Sequence, residues 1–160
     1  MGIPLRHPGL SLLCFLFVLG STTQLASSAE HKPAASIPAA DLVQPAALAA
    51  RLKSGSAASM LILQVGFHSL YIQGHIPGSV YAGPAGQPAG LAALRAAVQN
   101  HAKDAPVLLY CGCCPWDKCP NIAAAYDELK AMGFTAIQVL YIAHDFGTDW
   151  VEKGYPSASS

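Results

Sequence analysis

Four of the five cysteines in the chain lie between residues 111 and 119, and this stretch has the clearest capacity for chemistry. They are Cys111, Cys113, Cys114 and Cys119. A thiolate is both a nucleophile and a soft metal ligand, so such a cluster indicates covalent sulfur chemistry, thiol–disulfide exchange or metal binding. We do not expect a disulfide scaffold, because the bridges of such scaffolds join cysteines that are spread along the chain.

The elements on either side place these cysteines at one edge of a sheet. Residues 107–110 are apolar and favour β-structure, which predicts a buried strand. Residues 121–130 are rich in helix-forming residues, and Pro120 suits the first position of a helix. The cysteines therefore lie between the end of a strand and the start of a helix. Free N–H groups and the helix dipole favour a thiolate or another anion at such a junction.

The rest of the chain alternates short apolar runs with helical segments. Strands are predicted over residues 41–43, 60–65, 79–82 and 136–142, and helical segments over 46–53, 68–73, 91–101 and 147–153. This alternation predicts an α/β domain with a mainly parallel sheet. Because ligands of such sheets bind at the carboxyl ends of the strands, the cysteine stretch is the candidate site.

Composition limits the classes of protein to consider. The chain has 160 residues, which fits one domain, and its 52% hydrophobic and 11% charged residues exclude a disordered chain. The formal net charge is zero, so we expect no nucleic-acid partner.

The N-terminal segment resembles an export signal. Residues 1–29 combine a weakly basic start, an uncharged apolar run over 10–19 and small residues up to Ala29, which predicts a signal peptide and a periplasmic or secreted protein. The apolar run is short for a membrane span, so we expect no stable membrane insertion after cleavage. An uncleaved anchor is the alternative. Cleavage would remove Cys14, and residues 30–36, rich in Ala and Pro, would form a flexible lead.

Three motifs, in this order and spacing, resemble the rhodanese-like family. Residues 74–79 (Gly-His-Ile-Pro-Gly-Ser) are similar to an early motif of the family, and 108–111 to the strand that delivers its active cysteine. Residues 150–156 are similar to its closing W-x-x-x-G-Y-P motif. The resemblance predicts a domain over residues 37–157, with a tail over 158–160.

The resemblance implies both a fold and an activity. The fold is an α/β three-layer domain with a five-stranded, mainly parallel sheet and helices on both faces. The activity is sulfur transfer, in which a thiolate takes sulfur from a donor such as thiosulfate, stores it as a persulfide and passes it to a thiol or to cyanide. The expected partners are therefore a small sulfur-containing donor and a thiol acceptor, without a cofactor. No protein partner is indicated.

The resemblance gives two registers for the nucleophile. Cys111 directly follows the strand, as the family nucleophile does. Counted back from the helix, Cys114 lies at the family spacing, and Cys119 then takes the position of an arginine. We predict Cys111 as the nucleophile and Cys114 as its resolving partner. The other residues of the predicted active-site loop are Gly112, Cys113, Pro115, Trp116, Asp117, Lys118 and Cys119.

Two alternative hypotheses remain open. Residues 111–114 contain a C-x-x-C, which is typical of a dithiol motif and favours an exported thiol–disulfide redox module. A metal-binding domain is the third hypothesis, but a closed zinc site usually takes its ligands from two separated segments. We therefore assign no metal ligands from the sequence.

Overall fold

A computed structural model describes residues 1–2 and 36–160. The predicted signal peptide and the lead that follows it lie almost entirely outside the described residues. None of the helices in the described part of the chain has the length and apolar character needed to cross a membrane.

The described residues form one five-stranded parallel sheet with helices between the strands. The strands are β1 (Leu42–Val43), β2 (Leu61–Gln64), β3 (Val80–Tyr81), β4 (Val107–Tyr110) and β5 (Ile137–Leu140). The α-helices are α1 (Pro45–Ser54), α2 (His68–Gln73), α3 (Pro88–Val98) and α4 (Pro120–Ala131). Short 3-10 helices cover Ala39–Asp41 and Trp116–Lys118, and a π-helix covers Gly147–Val151. The strand order is β1-β5-β4-β2-β3, and each neighbouring pair is parallel. The predicted fold class is confirmed.

Proline starts the three longest helices. Pro45, Pro88 and Pro120 each occupy the first turn, where a missing N–H costs no hydrogen bond. For this reason α3 begins at Pro88. The apolar face of this segment predicts a later start, at residue 91. The predicted last helix forms as the π-helix at Gly147–Val151.

The sheet separates two apolar cores, because successive residues of a strand point to opposite faces. On one face Leu108 and Tyr110 of β4 pack in a cluster with Leu48 of α1 and with Trp150. On the other face Leu109 of β4 packs in a cluster with residues of α3 and α4. The whole of β4 is buried, as its apolar sequence predicts. Helices therefore cover both faces, and β4 lies at the centre of the sheet.

The last residue of β4 fixes the turn before β3. Tyr110 is 1% exposed, and its hydroxyl accepts the Ile76 N–H at 3.2 Å and pairs with the Ser79 hydroxyl at 2.9 Å. Burial raises the pKa of Tyr110 to about 12, so it stays a neutral hydrogen-bonding group. The strand end that leads into the cysteines is thereby held against its neighbour.

The C-terminal residues also pack on the domain. The indole N–H of Trp150, which is fully buried, donates to the Pro156 carbonyl at 2.9 Å. Ala158 and His75 exchange two backbone hydrogen bonds of 2.9 Å. Sequence analysis treats residues 158–160 as a tail, and the structure shows that this tail is paired at Ala158.

Tyr110→Phe should lower the free energy of unfolding by about 1–3 kcal/mol, because it leaves the buried Ile76 N–H and the Ser79 hydroxyl without their partner. Urea denaturation measures this loss. The matched control is Tyr141→Phe, since the Tyr141 hydroxyl has no hydrogen bond within the described residues and its ring still packs on Trp116. Equal effects of the two substitutions would contradict the role given to the Tyr110 hydroxyl.

Candidate active site

The loop between β4 and α4 is anchored to the segment that follows β5. Gly112 adopts a φ of +72°, and a Cβ on it would lie 2.6 Å from the Phe146 Cβ, so only glycine fits. The Phe146 N–H donates to the Gly112 carbonyl at 3.1 Å, and the Trp116 N–H donates to the Ala143 carbonyl at 3.1 Å. These contacts hold both halves of the loop in place.

The loop gathers the sulfur atoms around Cys113. The Sγ atom of Cys113 lies 3.2 Å from that of Cys111 and 3.2 Å from that of Cys114. The Sγ atoms of Cys111, Cys113 and Cys119 all lie within 4.8 Å of one another. All four cysteines are free thiols. The structure therefore brings together the cysteines that the sequence singles out, with Cys113 at the centre. The predicted roles of Cys111 as nucleophile and Cys114 as resolving partner stay predictions.

A buried asparagine completes the cluster. The Asn121 side chain is in the first turn of α4 and is 1% exposed. Its Nδ2 donates to the Sγ atoms of Cys111 and Cys113 at 3.5 Å, and its Oδ1 accepts the Gly86 N–H at 2.8 Å. Sequence analysis assigns no role to this residue. Its position directly after the proline that starts the helix is the signal that could have identified it.

The pKa values of the four cysteines shift in opposite directions. Bonds from Cys111 and then from Cys119 lower the pKa of Cys113 to about 2. Donating to Cys113 raises the pKa of Cys111, and burial raises that of Cys114. The bond with Cys111 lowers the pKa of Cys119, but its bond with Cys113 and burial outweigh this and raise it. These directions favour ionisation of Cys113 before its neighbours, because a thiolate at the centre of the cluster is stabilised by every donor around it.

A pocket of about 460 Å³ opens next to the cluster. Cys111 and Cys113 form part of its wall, and Gln64, which is 2% exposed, lies beside them. Gly66 leaves room for the Cys111 thiol, since a Cβ on it would lie 2.9 Å from that Sγ atom. The other lining residues are Leu70, Gln73, Gly74, Tyr110, Gly112, Asp145, Phe146, Gly147, Val151 and Glu152. A small molecule can therefore reach the central thiolate.

The remaining predicted loop residues lie away from the pocket. Trp116 packs against Tyr141, with 5.0 Å between ring centroids, and does not line the pocket. Pro115, Asp117 and Lys118 are exposed. The Lys118 carbonyl accepts the Cys114 thiol at 3.7 Å.

The sulfur atoms of Cys111, Cys113 and Cys119 could also meet at a soft metal ion, since three thiolates suit such ions. The loop brings these three cysteines close enough together to share a single ion. The same closeness is explained by hydrogen bonds between one thiolate and its neighbouring thiols, so we assign no metal to the site.

Iodoacetamide should label Cys113 at a rate that hardly changes between about pH 5 and pH 8, because a lowered pKa keeps it a thiolate over that range. Peptide mass mapping after short exposure measures the rate for each cysteine. In Asn121→Asp, a carboxylate replaces the Nδ2 donor, so the pKa of Cys113 should rise. A wild-type rate that increases about tenfold per pH unit, as for an ordinary thiol, would contradict this charge distribution.

Comparisons with known proteins agree with the fold. The family model described as "Rhodanese-like domain" matches residues 44–142. The solution structure of a rhodanese-like domain from Anabaena sp. has a TM-score of 0.57 at 20% identity, covering 75% of this chain and 80% of that one. A Bacillus halodurans protein has a TM-score of 0.56 at 16% identity, covering 73% and 75%. A rhodanese-related protein from Thermoplasma volcanium has a TM-score of 0.50 at 20% identity, covering 74% and 97%. No curated protein matches the chain significantly. Since the family model spans more than half of the chain, this protein belongs to the rhodanese-like domain family.

Proposed function

We propose that this protein transfers sulfane sulfur through a cysteine persulfide. The observation that carries the proposal is a cluster of cysteine sulfur atoms, with Cys113 at its centre, at the carboxyl end of the central strand of a rhodanese-like domain. A pocket reaches Cys113. Membership of a sulfurtransferase-type family supports the same chemistry.

The transfer proceeds in two balanced steps. The thiolate attacks the outer sulfur of the donor, the bond between that sulfur and the donor breaks, and the donor leaves with the bonding electrons. The product is a persulfide anion on the protein. An acceptor thiolate or cyanide then attacks the outer sulfur of this persulfide and regenerates the protein thiolate. The chain supplies the nucleophile of the first step, and the acceptor supplies the nucleophile of the second.

We assign the persulfide to Cys113. The strand register predicts Cys111, and that assignment stays a prediction; the hydrogen bonds favour its neighbour. Cys111 is 4% exposed and donates to Cys113, whereas Cys113 is half-buried and accepts from several donors. The same donors, with Asn121 among them, would stabilise the negative charge of the persulfide.

Reduced protein treated with a sulfane donor should gain about 32 Da, one sulfur atom, on a single cysteine, and cyanide should remove it. Peptide mass spectrometry locates the sulfur. Cys113→Ser should abolish the gain, because it removes the thiolate. Cys114→Ser is the matched control and should retain the gain, since its raised pKa keeps it a thiol.

The assignment fails if Cys113→Ser still gains sulfur and Cys111→Ser does not, and the predicted register from the strand is then correct. The sulfur-transfer proposal itself fails if no cysteine of the folded wild-type protein gains sulfur from any donor.

A dithiol redox function is the second candidate, because Cys113 lies 3.2 Å from two other sulfur atoms. A redox module would close a disulfide with one of them and catalyse thiol–disulfide exchange without gaining sulfur. The same mass measurement separates the two functions, since disulfide closure removes about 2 Da instead of adding 32.

We also propose that the protein acts outside the cytoplasm, which rests on the sequence of residues 1–29. Expressed in an exporting host, the mature protein should begin near Glu30 and appear in the periplasm or medium. N-terminal sequencing of the purified protein tests this. A cytoplasmic protein that retains the uncleaved segment would contradict it.

A further inference from the structure

The charges around the pocket are of one sign. Asp145 and Glu152 line it, and none of its lining residues is Lys, Arg or His. The pocket wall also includes Cys113, the central sulfur of the cluster, whose pKa is lowered by the neighbouring thiols. Lys118 is in the same loop but is exposed and does not line the pocket. The charged side chains that an entering donor meets in this pocket are therefore all acidic.

The carboxylates of Asp145 and Glu152 differ in how firmly they are held in place. Asp145 is fixed, because its Oδ1 accepts the Thr148 N–H at 2.9 Å and its Oδ2 accepts the Thr148 hydroxyl at 3.2 Å. Glu152 is exposed at the pocket edge and forms no ion pair with any described residue. Its charge is therefore available to act on an entering molecule.

Three of the other side chains that line the pocket are apolar. Leu70, Phe146 and Val151 line the pocket, and Val151 is 46% exposed although it is apolar. Such a wall binds the hydrocarbon part of a small molecule, because contact removes apolar surface from water. Thiosulfate is a dianion with no hydrocarbon part. It would be repelled by the carboxylates and would gain nothing from the apolar wall.

We propose that the sulfur donor is the persulfide of a small organic thiol whose organic part is uncharged or cationic, and that Glu152 selects against anionic donors. The inference rests on the proposed function and names its donor class. The thiolate of the loop attacks the outer sulfur of R–S–SH, the S–S bond breaks, and R–S⁻ leaves and takes up the proton. The products are the protein persulfide anion and R–SH, so atoms and charge balance.

The test uses donors of matched size and different charge. These are the persulfides of cysteamine, 2-mercaptoethanol and 3-mercaptopropionate, whose organic parts are cationic, neutral and anionic, with thiosulfate alongside. The initial rate of sulfur gain on the reduced full chain is measured by mass spectrometry. The persulfides with a cationic or neutral organic part should load the protein at least about tenfold faster than the one with an anionic organic part, and thiosulfate should be the slowest.

Glu152→Lys should reverse or remove the preference among the three persulfides, and Glu152→Gln should reduce it. The matched control is Asp104→Lys, which makes the same change at an exposed residue preceding β4, at the opposite edge of the sheet, and should leave the preference unchanged. Circular dichroism checks that each variant is folded.

The outcomes separate this inference from the proposed function. If the wild-type protein gains sulfur from all donors at similar rates, or fastest from thiosulfate, the donor class is wrong and sulfur transfer stands. Equal effects of Glu152→Lys and Asp104→Lys would show a general effect of net charge and would also overturn the inference. If no donor loads the protein, the proposed function itself fails.

Discussion

One negative charge shared among crowded sulfur atoms is the constraint on which the site depends. Four free thiols within a single loop cannot all ionise, because each further thiolate would be repelled by the first. The lowered pKa of Cys113, which is central, favours the charge at this residue, where the surrounding thiols can donate hydrogen bonds to it. The cluster therefore works as a unit, and its cysteines are not interchangeable although they are neighbours in sequence.

The fold provides the positions that this arrangement needs. The buried strand β4 delivers the first cysteine, and the Tyr110 hydroxyl ties its end to Ile76 and Ser79. Helix α4 brings Asn121 to the other side of the sulfur atoms. Strand β4 holds one side of the cluster and helix α4 holds the other. The sulfur atoms can therefore stay close without being joined by a disulfide.

Much of the fold was predictable from the sequence, because its signals are local. The apolar run of β4, the prolines at helix starts and the alternation of elements each act over a few residues, and they predict the sheet and its layers. The position of the cysteines at the end of a strand follows from the same signals. The predicted start of α3 at residue 91 is wrong, because Pro88 begins the helix before its apolar face becomes evident.

The interior of the site was harder to predict, since it depends on contacts between distant segments. The spacing predicts Cys114 as the resolving partner of Cys111, and that assignment stays a prediction. The contact of 3.2 Å between the Sγ atoms of Cys111 and Cys113 is not evident from the spacing. The position of Asn121 depends on its hydrogen bond with Gly86, and the place of Glu152 in the pocket wall depends on the path of the π-helix that precedes it. The sequence of the loop alone does not indicate these contacts with distant segments.

The fit of Gly112 against Phe146 has a consequence for how the loop can change during evolution. Phe146 stacks on Trp150, so it cannot easily retreat from a new side chain at position 112. Replacing a cysteine of the loop with serine or alanine leaves the backbone path of the loop unaltered. Any side chain at position 112 would force this backbone to shift. A lineage released from selection for sulfur chemistry would therefore lose its thiols first and keep this glycine, so that an inactive descendant would still carry the outline of the loop.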